Sequence, residues 1–170
     1  MHIVALKSPD SRDHRSVIHP DTVKKIVDLP GVTVSFESGI GNGINISDQT
    51  FIELGLKAIS RDECLSQGSF IITPSSLTIE ESNKIQKGST VLGMLNPFYA
   101  VDELKALNQS IINVVSMEFI PRITRAQKMD VLSSQANLAG YAAVLEAAQH
   151  LSSALPMMMT AAWTLKPARV

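Results

Sequence analysis

The chain has 170 residues, of which 45% are hydrophobic and 18% are charged, and its formal net charge at pH 7 is −1. These values indicate a globular protein large enough to bury its own core, and they exclude a general attraction to nucleic acid or anionic lipid. The single cysteine, Cys64, excludes a disulfide within the chain and favours a reducing compartment, such as the bacterial cytoplasm or an organelle matrix. Because the acidic residues Asp62 and Glu63 precede it and raise a thiol pKa, Cys64 is expected to be inert.

Strand-like and helix-like segments alternate through most of the chain. Helices are predicted at residues 20–29, 48–54, 61–66, 79–86 and 101–107, with Ser47 as the N-cap of the second. Strands are predicted at residues 3–6, 32–36, 70–72, 90–95 and 110–115, with a further short segment at 57–59. Strands separated by helices predict a mostly parallel sheet covered on both faces. Residues 1–128 are therefore expected to form a doubly wound α/β domain of the Rossmann-like or flavodoxin-like type.

A long alanine-rich helix is predicted at residues 129–151. Small residues recur along it at intervals of three and four, at Ala136, Ala139, Gly140, Ala143 and Ala147. Such a face permits close approach of another helix, and two interpretations remain open: packing in the chain's own core, or docking on a second domain or subunit. Residues 129–170 are accordingly assigned to a connecting helix and to the lead-in of a further domain, which starts with a β-like segment at Pro167–Val170.

Three other motifs are predicted to be structural. The Gly39–Gly43 segment does not fit the Gly-x-Gly-x-x-Gly fingerprint of dinucleotide-binding loops, because its third glycine comes one residue early and no helix follows directly; we predict a turn. His14 and His19 lack further ligands in the local sequence, and no metal site is expected. The Met157–Met159 run is interpreted as a packing surface rather than as a soft-metal site.

A cluster of polar side chains lies between the last strong predicted strand and the long helix. Its members contribute a guanidinium, an amide, a carboxylate and a hydroxyl, at Arg122, Gln127, Asp130 and Ser133. Fixed donors and acceptors at such a junction are typical of a site for a polar ligand. Asp130 and Ser133 are three residues apart and share a helix face. Helix capping by these two residues, with Arg122 in a surface ion pair, explains the same pattern and remains an open alternative.

Several motifs of the chain resemble those of one enzyme family. They are Lys7, Arg15–Val17, Pro20, the Gly39–Gly43 turn, Pro121–Tyr141, Met157–Ala162 and Lys166–Val170. On these residues the whole chain resembles the N-terminal domain, the initial portion of domain I, of the α subunit of proton-translocating NAD(P) transhydrogenases, and more distantly alanine dehydrogenase. Ser8 departs from the glutamate that the family places after the lysine. Alanine dehydrogenase is disfavoured, because its lysine in the segment matching Ile71–Pro74 and its histidine near Gly93–Leu95 are both absent.

The resemblance implies a role for each residue of the polar cluster. The implied cofactor-binding residues are Arg122, Ile123, Thr124, Gln127, Asp130 and Ser133. Of these, Arg122, Asp130 and Ser133 match the residues that hold the carboxamide and ribose region of NAD(H). Gln127 matches a glutamine that lies between two nicotinamide rings and aligns them, and it is the residue expected to be catalytic. The implied chemistry is hydride transfer from NADH to NADP⁺, with NADP(H) on a partner domain and with coupling to proton translocation in a membrane domain.

The family also implies partners for the chain. The family segment that matches Arg169–Val170 leads into a glycine-rich Rossmann domain that holds the rest of NAD. The chain is therefore expected to be the N-terminal fragment of a longer assembly, to bind NAD(H) weakly alone, and to be inactive alone. The expected partners are the remainder of the α subunit, the β subunit and a second copy of the chain, with no nucleic acid. The membrane is reached only through partner subunits, so the expected location is cytoplasmic and peripheral to the inner membrane. The alternative is a non-catalytic remnant of the family, or an assembly and dimerisation module.

Overall fold

A computed structural model describes residues 1–152 and 154–167, and the chain forms two compact units, Met1–Pro121 and Arg122–Val170. The first unit contains a six-stranded sheet with strands β1 (His2–Ala5), β2 (Thr33–Glu37), β3 (Lys57–Ile59), β4 (Phe70–Thr73), β5 (Thr90–Gly93) and β6 (Asn113–Ser116). Neighbouring strands are parallel, in the order β3-β2-β1-β4-β5-β6. The predicted doubly wound α/β fold is confirmed, and this strand order is that of the Rossmann type.

Five helices connect the strands of the first unit. They are α1 (Pro20–Val27), α2 (Asp48–Glu53), α3 (Arg61–Gln67), α4 (Ile79–Ser82) and α5 (Val101–Gln109). α3 and α4 each begin with a capping box. The hydroxyl of the N-cap residue accepts from the backbone amide of a glutamate three residues later, and the carboxylate of that glutamate accepts from the backbone amide of the N-cap residue. Ser47 occupies the N-cap position of α2 as predicted, but its side chain contacts the Thr50 hydroxyl at 3.3 Å and makes no capping hydrogen bond. α4 is shorter than predicted because the chain turns at Asn83 towards β5, through Gly88 with φ 83°.

The core lies on both faces of the sheet. Along β1 and the residue after it, Ile3 and Ala5 belong to one buried cluster, whereas Val4 and Leu6 belong to a second. Because successive side chains of a strand point to opposite faces, the two clusters cover the two sides of the sheet. Burial of each large aliphatic side chain contributes about 1.5–3 kcal/mol. Because both faces of the sheet are covered, strands such as β1 and β4 have apolar residues at successive positions rather than at alternate ones.

A network of charged groups ties the carboxyl ends of the strands together. Glu37, at the end of β2, is 7% exposed, and its Oε2 accepts from the backbone amide of Lys7 at 3.0 Å and from Arg61 Nη1 at 2.8 Å. Arg61 also donates from Nε to Glu81 Oε1 at 2.5 Å. The network therefore links β2, the segment after β1, and the first turns of α3 and α4.

The second unit has a different architecture. A 3-10 helix (Thr124–Met129) precedes the long helix α6 (Val131–His150). The predicted long helix is confirmed, and it is shorter than the predicted range 129–151 at both ends. An antiparallel pair, β7 (Met158–Met159) and β8 (Thr164–Leu165), follows and was not predicted. The β-like segment predicted at Pro167–Val170 falls outside the described residues after position 167. The division of the chain after residue 128 remains a prediction of domain organisation.

The surface of α6 is exposed on almost every side. Among the described residues from 122 to 167, only Ala126 and Asp130 are buried, at 5% and 8% exposed. A Cβ added at Gly140 would meet no atom within 4 Å. The small-residue face is therefore not packed in a core of this chain, and the docking interpretation remains a prediction. No helix in the described part of the chain is long and apolar enough to cross a membrane.

Candidate functional site

The polar cluster predicted from the sequence surrounds a single hollow in the second unit. The hollow has a volume of about 450 Å³ and is lined by Arg122, Ile123, Thr124, Gln127, Asp130, Ser133, Ser134 and Asn137. One wall consists of the 3-10 helix and the residues before it, and the other consists of the first two turns of α6. Every cofactor-binding residue named from the sequence lies here. Ser134 and Asn137 also line the hollow, but they were given no role from the sequence although they lie within the Pro121–Tyr141 motif.

Asp130 holds the α6 wall of the hollow in place. It is the N-cap residue of α6: its Oδ1 accepts from the backbone amide of Ser133 at 2.9 Å, and its Oδ2 accepts from the Ser133 hydroxyl at 2.6 Å. The hydroxyl and then the amide of Ser133 lower the pKa of Asp130, and the positive charge of Arg122 adds a smaller effect in the same direction. The capping interpretation is thus confirmed. It does not exclude ligand binding, because each carboxylate oxygen retains a second acceptor site.

Arg122 lies on the opposite wall of the hollow. Its charge reaches Asp130 electrostatically, yet across residues 1–152 and 154–167 its guanidinium forms no ion pair. The alternative in which Arg122 serves in a surface ion pair is therefore wrong. An exposed guanidinium beside a carboxylate leaves five donors for a ligand.

The remaining polar groups determine what the hollow can do chemically. Its titratable side chains are Arg122 and Asp130, and no nucleophile–base pair lines it. No group of His, Cys, Asp and Glu able to hold a metal occurs among the residues that the structure describes. The amides of Gln127 and Asn137 face the hollow from different walls. Such a set of groups can bind and orient a polar ligand, but it does not form an acid–base or nucleophilic centre.

The N-terminal motifs of the chain meet elsewhere, around a hollow of about 320 Å³ lined by residues that include Lys7, Arg15, Gly39 and Gly43. The glycine segment forms a turn, as predicted, and this turn continues into a three-residue 3-10 helix (Asn42–Ile44) that was not predicted. A Cβ at Gly43 would collide with the backbone of His14. Arg15 is closed onto Asp13, to which its Nε and Nη2 both donate at 2.8 Å. That hydrogen bonding lowers the pKa of Asp13 to about 2.

Cys64 is fully buried in the core. Burial, followed by the negative charge of Glu37, raises the pKa of its thiol to about 12. The expected inertness is supported, but the main cause is loss of solvent rather than the acidic neighbours in the sequence. Of those neighbours, Glu63 has only a minor effect.

Comparisons with known proteins identify the family. The profile of "Alanine dehydrogenase/PNT, N-terminal domain" matches residues 7–139. A protein from Rickettsia prowazekii, named as the first part of NAD(P) transhydrogenase subunit alpha, is 38% identical over 170 residues, which cover 97% of this chain and 44% of that protein. Its namesake from Rhodospirillum rubrum is 39% identical over 176 residues, covering 100% of this chain and 46% of that protein. The crystal structure of transhydrogenase from Sinorhizobium meliloti aligns with a TM-score of 0.89 and 36% identity over 99% of this chain and 50% of that chain.

The chain thus spans about half the length of the relatives that it matches. The matched residues include the strands of the parallel sheet from β2 to β6 and the loop, 3-10 helix and first turns of α6 that form the 450 Å³ hollow. This chain belongs to the family of alanine dehydrogenase/PNT N-terminal domains.

Proposed function

We propose that the chain contributes the nicotinamide-contacting site of an NAD(P) transhydrogenase α subunit, where it orients NAD(H) for hydride transfer to NADP⁺. The observation that carries the proposal is the convergence of Arg122, Ile123, Thr124, Gln127, Asp130 and Ser133 on one hollow. The names of the relatives from Rickettsia prowazekii and Rhodospirillum rubrum support it.

The groups around the hollow fit the nicotinamide riboside end of a dinucleotide. Arg122 supplies donors for carbonyl and hydroxyl oxygens, and Asp130 supplies acceptors for ribose hydroxyls. A volume of about 450 Å³ lies in the usual range of small-molecule sites. The 170 residues contain no Gly-x-Gly-x-x-Gly sequence to bind a pyrophosphate. In this proposal the pyrophosphate and adenosine are therefore held by residues outside this chain.

Orientation is the contribution that these residues make to the chemistry. When both nucleotides are bound, a hydride passes directly between their nicotinamide rings, and this step needs no general acid or base. The hollow accordingly contains fixed donors and acceptors rather than a titrating pair. Gln127 is exposed, so its amide can contact both the ligand in the hollow and a second ring presented by a partner domain. It would align the two rings at reacting distance.

The proposed partners follow from the same assignment. NADP(H) would be carried by a partner domain, and the remainder of the α subunit and the β subunit would complete the enzyme. A second copy of the chain is the proposed dimer partner. The chain itself would lie on the cytoplasmic side and reach the inner membrane only through those subunits.

A second candidate function is that of an assembly module without a nucleotide site. The observation that favours it is the exposure of large apolar side chains in the second unit, among them Leu138, Tyr141, Leu145, Met159 and Trp163. Apolar surface of this kind is typical of an interface with another protein.

Binding of NADH separates the two functions. Saturation-transfer NMR on the chain with NADH should show stronger transfer to the nicotinamide protons than to the adenine protons, with weak affinity. Arg122→Ala should remove the transfer, because Arg122 lines the hollow. Arg125→Ala is the matched control, since Arg125 is an exposed arginine three residues later, in the 3-10 helix, and does not line the hollow. Absence of transfer, or equal transfer to both ends of NADH, would leave the assembly module as the function.

Hydride transfer needs a separate measurement with the partner polypeptides present. Reduction of an NADP analogue by NADH should be slowed by Gln127→Met, because the amide that aligns the rings is lost. The same variant should keep its far-ultraviolet circular dichroism, since Gln127 is exposed. Unchanged turnover in Gln127→Met would remove its proposed role.

A further inference from the structure

Asn137 lines the hollow, and the sequence motifs assign it no role. It lies in the second turn of α6, four residues after Ser133 and three after Ser134. Residues at these intervals occupy one face of a helix. Asn137 therefore extends the α6 wall of the hollow beyond the Asp130–Ser133 cap.

On the α6 wall, the side chains of Ser133 and Ser134 form hydrogen bonds within the described part of the protein, whereas the side chain of Asn137 does not. The hydroxyl of Ser133 donates to Asp130 Oδ2 at 2.6 Å, and the hydroxyl of Ser134 donates to the backbone oxygen of Asp130 at 3.0 Å. Both hydroxyl protons are thus engaged within the helix cap. The Asn137 side chain is exposed and has no hydrogen-bond partner within residues 1–152 and 154–167. On the α6 wall it is the side chain that offers a free donor and a free acceptor together.

A primary carboxamide is the ligand group that such a side chain matches best. Two amides pair through two hydrogen bonds, in which each N–H donates to the carbonyl oxygen of the other. Arg122 can only donate and Asp130 can only accept, so neither side chain alone pairs with both the oxygen and the N–H₂ of a carboxamide. The Gln127 amide lies on the opposite wall, in the 3-10 helix.

We infer that Asn137 recognises the carboxamide of the nicotinamide ring and so makes the hollow selective for this group over analogues that lack the amide N–H₂. The inference rests on the proposed nicotinamide site and adds a specificity-determining residue to it. Pairing at two atoms also fixes the rotation of the carboxamide, and hence helps to set the plane in which the ring lies.

The test compares two ligands and three variants. The ligands are reduced nicotinamide mononucleotide and its 3-acetylpyridine counterpart, which keeps the carbonyl oxygen but replaces N–H₂ by a methyl group. Both avoid any dependence on a pyrophosphate or adenosine site. Dissociation constants are measured by NMR titration of the full chain. The wild-type chain should prefer the carboxamide about fivefold, the effect of one neutral hydrogen bond.

The variants give distinct patterns. Asn137→Leu should weaken carboxamide binding about tenfold or more and abolish the preference, because donor and acceptor are both lost. Asn137→Asp keeps the shape and the acceptor but cannot donate to the carbonyl, so it should weaken both ligands and retain the preference. Gln149→Leu, an exposed amide on the last turn of the same helix and away from the hollow, should change neither constant.

Two negative outcomes are distinguishable. If the wild-type chain binds neither mononucleotide, the nicotinamide site itself is refuted. If the wild-type chain binds the carboxamide ligand and Asn137→Leu retains the same affinity and preference, the role of Asn137 is refuted while the site stands. Circular dichroism of each variant checks that α6 is intact.

Discussion

Arg61 donates from Nη1 to Oε2 of Glu37 at 2.8 Å, and Glu37 is only 7% exposed. The pair joins the first turn of α3 to the carboxyl end of β2. A carboxylate buried to this degree is costly unless a cation compensates it. The fold of the first unit therefore depends on this contact more than on its surface ion pairs.

Replacement of Arg61 should destabilise the first unit. We expect Arg61→Leu to lower the free energy of unfolding by about 3 kcal/mol, because the Glu37 carboxylate then stays buried without its partner. Urea unfolding followed by circular dichroism measures the change. The double variant Arg61→Leu/Glu37→Leu should recover much of the loss, since no uncompensated charge remains.

A surface ion pair provides the control for that experiment. Lys84 Nζ lies 2.7 Å from Asp62 Oδ1, and these side chains are 45% and 72% exposed. Lys84→Ala should change stability by no more than about 0.5 kcal/mol. Equal losses in Arg61→Leu and Lys84→Ala would contradict the assigned importance of the buried pair.

Asp130 permits capping and ligand binding to be separated by substitution. Asparagine is a good N-cap residue, so Asp130→Asn should keep the helix content of α6 while removing the negative charge from the hollow. Asp130→Ala should reduce both the helix content and NADH binding. Circular dichroism and NMR titration with NADH measure the two effects.

The charge state of Asp130 determines the pH at which Asp130→Asn should be compared with the wild-type chain. Because the pKa of Asp130 is lowered from 3.8 by Ser133 and, to a smaller extent, by Arg122, its contribution to stability is fully present above that ordinary value. It is lost only as the pH falls through the lowered value of the folded protein. Experiments between about pH 6 and 8 therefore compare a full carboxylate with a neutral amide. Unimpaired NADH binding in Asp130→Asn would indicate that the residue serves as a helix cap alone.

The Cys64 thiol should be unreactive in the folded protein. With a pKa of about 12 instead of 9.0, only about one thiol in ten thousand is ionised at pH 8, and the thiolate is the reactive form. A disulfide reagent should therefore label Cys64 only as fast as the protein unfolds. Urea should restore rapid labelling.

The same shift predicts how stability depends on pH. The raised thiol pKa disfavours the folded state as the pH rises above 9.0, because the unfolded thiol ionises there while the folded thiol keeps its proton up to about 12. Ionisation of the thiol in the unfolded chain therefore pulls the equilibrium towards unfolding. Stability is therefore unaffected by this group below pH 9.0 and falls as the pH rises from there towards about 12. Cys64→Ala should remove this part of the loss of stability at alkaline pH. Rapid labelling of Cys64 in the folded chain at pH 8 would contradict the burial of the thiol.

Two glycines should respond in opposite directions to the same substitution. A Cβ at Gly93 in β5 would collide with the backbone oxygen of Thr73 in the neighbouring β4, whereas a Cβ at Gly140 in α6 would meet nothing within 4 Å. Gly93→Ala should cost about 2 kcal/mol or more through strain in the sheet. Gly140→Ala should stabilise the isolated chain by up to about 1 kcal/mol, because alanine favours a helix interior.

Thermal unfolding of both variants tests this contrast. A destabilised Gly140→Ala variant would show that the small-residue face is already covered in solution, for example by a second copy of the chain.

The sequence predicted the elements of the first unit well because their apolar runs and capping residues are local signals. The strands at Phe70–Thr73 and Thr90–Gly93, for example, needed only a continuous apolar pattern. Strand order was out of reach, since pairing of β1 with β4 brings together segments far apart in the chain. The β7–β8 pair was missed because its turn, Thr160–Trp163, contains none of the residues that usually mark a hairpin.

The candidate site was predicted incompletely for a similar reason. The spacing of Asp130 and Ser133 indicated a shared helix face, and the same cluster of polar side chains included Arg122 and Gln127. The family resemblance added Ile123 and Thr124 and the role of each residue. Asn137 carried no such signal, because only the arrangement of the walls and the engagement of the neighbouring hydroxyls distinguish it from any exposed asparagine.

The wall of the hollow formed by α6 belongs to a helix whose large apolar side chains are in contact with water, with Leu138 60%, Tyr141 68% and Leu145 53% exposed. Any surface that covered these side chains would stabilise the helix and the Asp130 cap from which it starts. By thermodynamic linkage, association on α6 and occupancy of the hollow would then strengthen each other by the same factor. If the hollow binds a nucleotide as proposed, the concentration of that nucleotide would in this way influence how readily the protein assembles.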